Sequence, residues 1–252
     1  MVEANYLTNY PNHLAHLRTA LPSDAAIEAA VGGEFITMGQ LECAMLRSLG
    51  LARGQLVVDV GCGSGRLALQ LSPLPGLRYL GTDIVPEFLE HARRISRRDD
   101  WDFVATDGQA IPCADGIADF VCFFSVFTHL PHDDSYRYLR EAKRVLRPGG
   151  RVVFSFLEFA IACHWEIFED YVARARSDYH WNQFIDRHAI EQWARHIGLR
   201  VEQIADGDKP HIPLSERLTW QDGRELGAFG CLGQSVAVLA KPAAPTVNHH
   251  PS

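Results

Sequence analysis

A surplus of basic residues is the first thing this 252-residue chain lacks. Lys and Arg number 24 against 31 Asp and Glu, for a formal net charge of −7. That balance excludes the general electrostatic grip that nucleic acids and anionic membranes require. Basic runs such as HARRISRR (91–98) read instead as the solvated face and last turn of a helix. No apolar run reaches the roughly 20 residues of a membrane span. The opening MVEANYLTNYPNHLAHL has no charged leader ahead of an apolar core, so a cytoplasmic location is expected. The cysteines at 43, 62, 113, 122, 163 and 231 show no CxxC spacing and read as buried thiols of a reducing compartment. Twelve histidines offer no zinc-like pairing, and no metal is expected. Internal repeats are missing too. What is present, 47% hydrophobic and 22% charged residues, suits an ordinary globular chain with one sizeable core. A single domain is expected over 1–240, followed by a flexible Pro- and Ala-rich tail, 241–252.

Strand-like and helix-like segments alternate along that domain, the signature of a mostly parallel sheet covered on both faces. Residues 1–50 read as an N-terminal helical cap. LVVDVGCGSGRLALQL (56–71) then passes from a buried strand into three glycines within five positions and straight on into a helix. Strands follow in LRYLGTDI (77–84), WDFVATDGQAIP (101–112, ending at Asp107), IADFVCFFSVFTHL (117–130) and RVVFSFLE (151–158), with helices between them. After the fifth strand the alternation breaks. An aromatic-rich insertion, 159–186, precedes a helix and the strand LRVEQIA, and a long irregular piece, 206–230, precedes the last strand within CLGQSVAVLAK. Loops of that length are candidate functional segments.

Gly61, Gly63 and Gly65 imply a sharp bend or something that must come close to the backbone. In open parallel sheets, ligands bind outside the carboxyl ends of the strands, where strand order reverses. Asp83 ends the second strand 20 positions after Gly63, where a carboxylate can accept from both ribose hydroxyls. With Asp59 and Asp107, three acids stand at successive strand ends, a poor home for pyrophosphate and a fair one for a cationic nucleoside. Taken singly, Asp83 reads equally as a helix cap and Asp107 as an Asx turn with Gly108. The dinucleotide fingerprint also requires Gly or Ala where this chain has Arg66.

In order, VVDVGCGSGRLA, GTDI, ATDGQAIP, FSVFTHL and VLRPGGRVVFSF resemble the successive motifs of class I S-adenosylmethionine-dependent methyltransferases, across about residues 35–157. The resemblance implies a Rossmann-like α/β fold of seven strands with the last antiparallel, and S-adenosyl-L-methionine as cofactor. It implies that Gly61, Gly63 and Gly65 pass close to the cofactor's methionine part and that Asp59 orients it. Asp83 would hold the ribose, with Ile84 against the adenine. Asp107 would accept from the adenine amino group, with Gly108 beside it, and Ser125 would lie near the methionyl end. Phe35 and Gly39, in GGEFITMGQ, resemble the stretch that closes over the cofactor.

Methyl transfer to oxygen or nitrogen by in-line displacement needs mainly alignment, and a positioned base adds to it for alcohols and protonated amines. His129, at the rim after the fourth strand, is the first candidate base, with Glu158 behind it. His164, Trp165, His180 and Trp181 are candidate acceptor contacts in the aromatic insertion, which together with 206–230 would form a lid. The same aromatics could instead form the core of a structural cap or a homodimer contact, with acceptor contact the preferred reading. A small-molecule acceptor, such as a sugar or a natural-product intermediate, is expected. FSVFTHL stands where an NPPY-like motif would sit in enzymes acting on nucleic acid. Two rival functions stay open: a protein that binds the cofactor without turnover, and a nicotinamide-dependent oxidoreductase.

Overall fold

The strand that leads into the glycine turn is apolar at every position save Asp59. β1 (Leu56–Val60) is buried along its whole length, as a strand covered on both faces must be. The computed structural model describes residues 6–108, 110–173 and 182–243. Ahead of β1 lie α1 (Tyr6–Leu17), α2 (Ser23–Ala29) and α3 (Phe35–Ser48). Behind it come α4 (Arg66–Leu71), β2 (Arg78–Asp83), α5 (Pro86–Ser96), β3 (Asp102–Ala105), β4 (Ala118–Phe123), α6 (His132–Val145) and β5 (Leu146–Phe156). The remainder holds α7 (Ala162–Ala173), α8 (Arg187–Ile197), β6 (Arg200–Ala205), four two-residue strands, β7 (Ile212–Pro213), β8 (Leu218–Thr219), β9 (Glu225–Leu226) and β10 (Phe229–Gly230), and β11 (Ser235–Ala240).

Seven strands form one sheet in the order β3-β2-β1-β4-β5-β11-β6. All pairs are parallel except those of β11, which runs antiparallel to both β5 and β6. This is the expected Rossmann-like sheet. Alternate residues of each strand feed two cores. Val57, Phe120, Val153 and Val238 pack with α3, α4 and α5, while Val58, Val121, Phe154 and Leu239 pack with α6 and α8. α1 and α2 meet Val85 and Phe88 in a smaller cluster. Strand order reverses between β1 and β4, so the loops leaving their carboxyl ends flank a crevice.

Several boundaries differ from the sequence reading. β5 begins at Leu146, five residues ahead of the expected start at Arg151, and ends at Phe156, which leaves Glu158 beyond it. β3 stops at Ala105, two residues short of Asp107. The 206–230 piece is not irregular: β7 pairs with β10 and β8 with β9, making two short antiparallel ribbons. Those ribbons lie against α3, where Thr37 donates to the Thr219 carbonyl and the Glu34 carboxylate accepts from Gln221 N–H. Cys163 is exposed rather than buried. No described helix is long and apolar enough to cross a membrane.

Candidate functional site

The crevice between β1 and β4 opens into a cavity enclosing about 930 Å³ of empty space, its mouth included. Its wall draws on Asp59, Val60 and the turn Gly61–Gly63 after β1, on Thr82, Asp83 and Ile84 at the end of β2, and on Thr106 and Gly108 after β3. From beyond β4 come Ser125, Val126, His129 and Leu130, and from the helical side Val31, Glu42 and Arg66.

The glycine turn is fastened to β2: Gly61 N–H and Cys62 N–H both donate to the Thr82 carbonyl, at 2.8 and 2.9 Å. Gly61 and Gly63 have φ of 69° and 53°, which excludes most side chains. A Cβ on Gly63 would also stand 2.6 Å from Val31. The Asp83 carboxylate accepts from Gly63 N–H and Val85 N–H, both at 2.9 Å, so it is fixed relative to the turn. Burial pushes its pKa up to about 6 against those lowering hydrogen bonds. Asp59 is 3% exposed and accepts from Tyr79 O–H at 2.7 Å. Burial raises it to about 7, with Glu42 and Asp83 acting in the same direction and Tyr79 and Arg66 against it. Ser125 is one of two described non-glycine residues at positive φ (57°). The strain is held by Ser125 N–H donating to Ser155 Oγ and by Thr128 Oγ1 donating to the Ser125 carbonyl. Such strain concentrates at functional sites.

The structure therefore brings together Asp59, Gly61, Gly63, Asp83, Ile84, Gly108, Ser125 and His129 in one wall. The other expected residues serve elsewhere. Gly65 begins α4 in the left-handed region at φ 94°, where a Cβ would sit 2.6 Å from Ala92: it lets α4 approach α5. Gly39 does the same between α3 and α4, where a Cβ would run into the Arg66 carbonyl. Phe35 packs edge-on against His91. Asp107 is exposed and outside the wall, although its neighbours Thr106 and Gly108 belong to it. Glu158 is 3% exposed and committed to Arg187, at 2.7 and 2.6 Å, and to Ser235. These contacts engage its carboxylate in tying α8 and β11 to the end of β5. His164 is fully buried. Its Nδ1 accepts from Glu158 N–H, so its Nε2 carries the proton and donates to the Gly233 carbonyl at 3.0 Å, which removes it from acceptor contact. Trp165 is 43% exposed and lies in an aromatic cluster with Phe159, Phe168 and Phe184, outside the wall. His180 and Trp181 fall outside the described residues.

Sequence reading missed Glu42, Arg66 and Tyr79. Arg66, the first residue of α4, has its Nη2 2.6 Å from Glu42 Oε1, and its Nη1 donates to the Gly32 carbonyl. Burial raises the Glu42 pKa, against the pull of Arg66. The signal for Arg66 was its place directly after the glycine turn. Glu42 left none, because an acid in an amphipathic helix reads as solvent-facing. Among the described residues no group of His, Cys, Asp and Glu is arranged to hold a metal ion.

Residues 58–154 match the family model described as a methyltransferase domain. A ubiquinone biosynthesis O-methyltransferase of Xanthomonas axonopodis pv. citri is 29% identical over 163 residues, which cover 60% of this chain and 65% of that one. The match thus spans just under two thirds of that relative's length. A 27-O-demethylrifamycin SV methyltransferase of Amycolatopsis mediterranei is 32% identical over 108 residues, 41% of this chain and 39% of that one. Among solved structures, a methyltransferase in complex with the Haloferax volcanii Trm112 activator superposes with a TM-score of 0.62 at 23% identity, covering 97% of this chain and 98% of that one. Magnesium protoporphyrin IX methyltransferase from Synechocystis PCC 6803, with bound S-adenosylhomocysteine, gives 0.61 at 14% identity, covering 95% and 98%.

Proposed function

Because this chain belongs to the class I S-adenosylmethionine-dependent methyltransferases, we propose that it transfers the cofactor's methyl group to an oxygen of a small molecule. When bound, S-adenosylmethionine supplies an activated sulfonium methyl. The residues present fit that group. A cavity with two buried carboxylates, Glu42 and Asp59, a half-buried one, Asp83, and one guanidinium, Arg66, favours a ligand with net positive character. Gly61 and Gly63 keep the turn free of side chains beside it. The observation that carries the reading is the Asp83 carboxylate. It lines the cavity at the end of β2 and spends one hydrogen bond per oxygen on the backbone, which leaves lone pairs to accept from two hydroxyls.

Oxygen is favoured as acceptor because several relatives are named for O-methyl transfer or for an O-demethylated substrate. His129, on the cavity wall after β4, would take the acceptor's proton. The aromatic cluster of Phe159, Trp165, Phe168 and Phe184 suits a flat or ring-bearing acceptor by stacking. Calorimetry tests the cofactor half. S-adenosylmethionine and S-adenosylhomocysteine are expected to bind and NAD is not. Asp83→Ala should weaken S-adenosylhomocysteine by about tenfold or more through two lost charge-assisted hydrogen bonds. Unchanged affinity in that variant would mean that the ribose lies elsewhere.

A further inference from the structure

A buried ion pair contributes little to stability, and replacing one with apolar residues of similar volume is often neutral or stabilising. Glu42 and Arg66 nonetheless stand 1% and 7% exposed on the cavity wall. Their contact at 2.6 Å does not meet the angles of a hydrogen bond: Glu42 Oε1 is buried with no hydrogen-bond partner. Among the described residues it is the only buried carboxylate oxygen in that condition. The other two cavity carboxylates are engaged, Asp59 by the Tyr79 hydroxyl and Asp83 by two backbone N–H groups. The ion pair offsets the charge of that oxygen but leaves it without a well-aligned hydrogen bond, which a donor on a ligand can supply. The guanidinium is preset from three directions, by the Gly32 carbonyl ahead of α3, by Ser125 Oγ after β4 at 3.4 Å, and by Glu42 itself. Its fork suits a planar carboxylate.

We propose that Glu42 and Arg66 together recognise the zwitterionic amino-acid end of the cofactor, Glu42 accepting from the α-ammonium and Arg66 donating to the α-carboxylate. The assignment rests on the reading of the cavity as an S-adenosylmethionine site. It adds a determinant contributed by α3, ahead of the matched methyltransferase domain. In the ligand-free protein the two side chains neutralise each other. The ligand's own pair of opposite charges can then enter without leaving either buried group unpaired.

The test separates the two ends of the ligand. Affinities for S-adenosylhomocysteine and for 5′-methylthioadenosine, the same nucleoside without the amino-acid end, are measured by calorimetry in the wild type and in Glu42→Gln. The variant should lose about tenfold or more in S-adenosylhomocysteine affinity and remain within about twofold for methylthioadenosine. Equal losses for both ligands, or no loss for either, would overturn the assignment. Should Glu42→Gln not fold, S-adenosylhomocysteine lacking its α-amino group is measured on the wild type: affinity equal to that of the parent compound overturns the proposal, and a loss of about tenfold supports it. A wild type that binds neither adenosyl ligand sinks the cofactor reading itself. A wild type that binds both with equal affinity sinks only the amino-acid clamp.

Discussion

Asp59 makes the ligand-free protein sensitive to pH. An aspartate normally titrates near 3.8, and burial lifts this one to about 7 in the fold, with Asp83 lifted to about 6. A carboxyl that holds its proton more tightly when folded contributes stability that is complete below pH 4 and is lost as pH rises through 6 to 7. By pH 8 both groups must be held as anions, at a cost on the order of a few kcal/mol for buried Asp59 and less for half-buried Asp83. The ligand-free melting temperature should therefore fall between pH 5 and pH 8, and Asp59→Asn should flatten that slope. Cationic S-adenosylmethionine, which suits the ionised cavity, should raise the melting temperature more at pH 8 than at pH 5. Surface carboxylates do not mask the effect: hydrogen bonds from Lys209 and Arg187 lower Asp206 to about 2, so its contribution changes only in more acid solution. A melting temperature that climbs from pH 5 to 8 would contradict the burial of these charges. Asp59, Asp83 and the first two glycines were legible because a strand end followed by a turn has a local pattern. Tyr79 and Glu42 were not, because a tyrosine in a strand and a glutamate in a helix look like core and solvent face until the fold sets them against one cavity.

The elements after β5 are held by a charge network rather than by the sheet alone. Glu158, just past β5, takes both Arg187 at the start of α8 and Ser235 at the start of β11, and Arg187 also reaches Asp206 after β6 at 2.5 Å. His164 of α7 joins the same region through Glu158 N–H and the Gly233 carbonyl. Glu158→Ala strips one buried end from this network and leaves Ser235 and a half-exposed Arg187 without it. The expected cost is about 2–3 kcal/mol, or a melting temperature lower by roughly 5–10 °C for a domain of this size. The pH dependence of turnover should not change. An unaltered melting temperature with a large loss of turnover would return Glu158 to the role of base. The parallel core was readable from sequence because β1, β2, β4 and the helices between them are long and strongly patterned. β7 to β10 were not, since two-residue strands have no period to detect; their only local cue was Asp222-Gly223, in a turn closed by Trp220 N–H donating to the Arg224 carbonyl. These ribbons lie against α3, and no residue of 206–230 is on the cavity wall. Beyond them Gln234, just ahead of β11, accepts from Ser125 Oγ at 3.3 Å.

Among the described residues, four of the exposed large hydrophobics fall within 159–172, around α7. Phe159, Trp165, Ile167 and Val172 are exposed by 48, 43, 36 and 64%, and Phe159 stacks on Phe184 with ring centroids 4.8 Å apart. Scattered exposed hydrophobics are ordinary, but a contiguous aromatic patch marks an interaction site. This patch is tied to the loop that carries His129: Gln183 N–H donates to the Thr128 carbonyl at 2.8 Å, and His132 Nε2 lies 2.9 Å from the Phe184 carbonyl. On the function proposed above, the acceptor rather than a second chain covers it. Trp165→Ala should then raise the acceptor's KM several-fold while S-adenosylhomocysteine affinity stays as it was, because Trp165 touches none of the cavity wall. A homodimer contact predicts the opposite pattern, a shift in sedimentation or elution with kinetics preserved. His129→Ala separates proton removal from binding. If the imidazole takes the acceptor's proton, kcat falls by about 100-fold or more at neutral pH. The deficit narrows as pH rises toward the acceptor's own pKa, where the oxygen ionises unaided. A variant with normal kcat would leave alignment by Ser125, Asp83 and the glycine turn as the whole source of the rate.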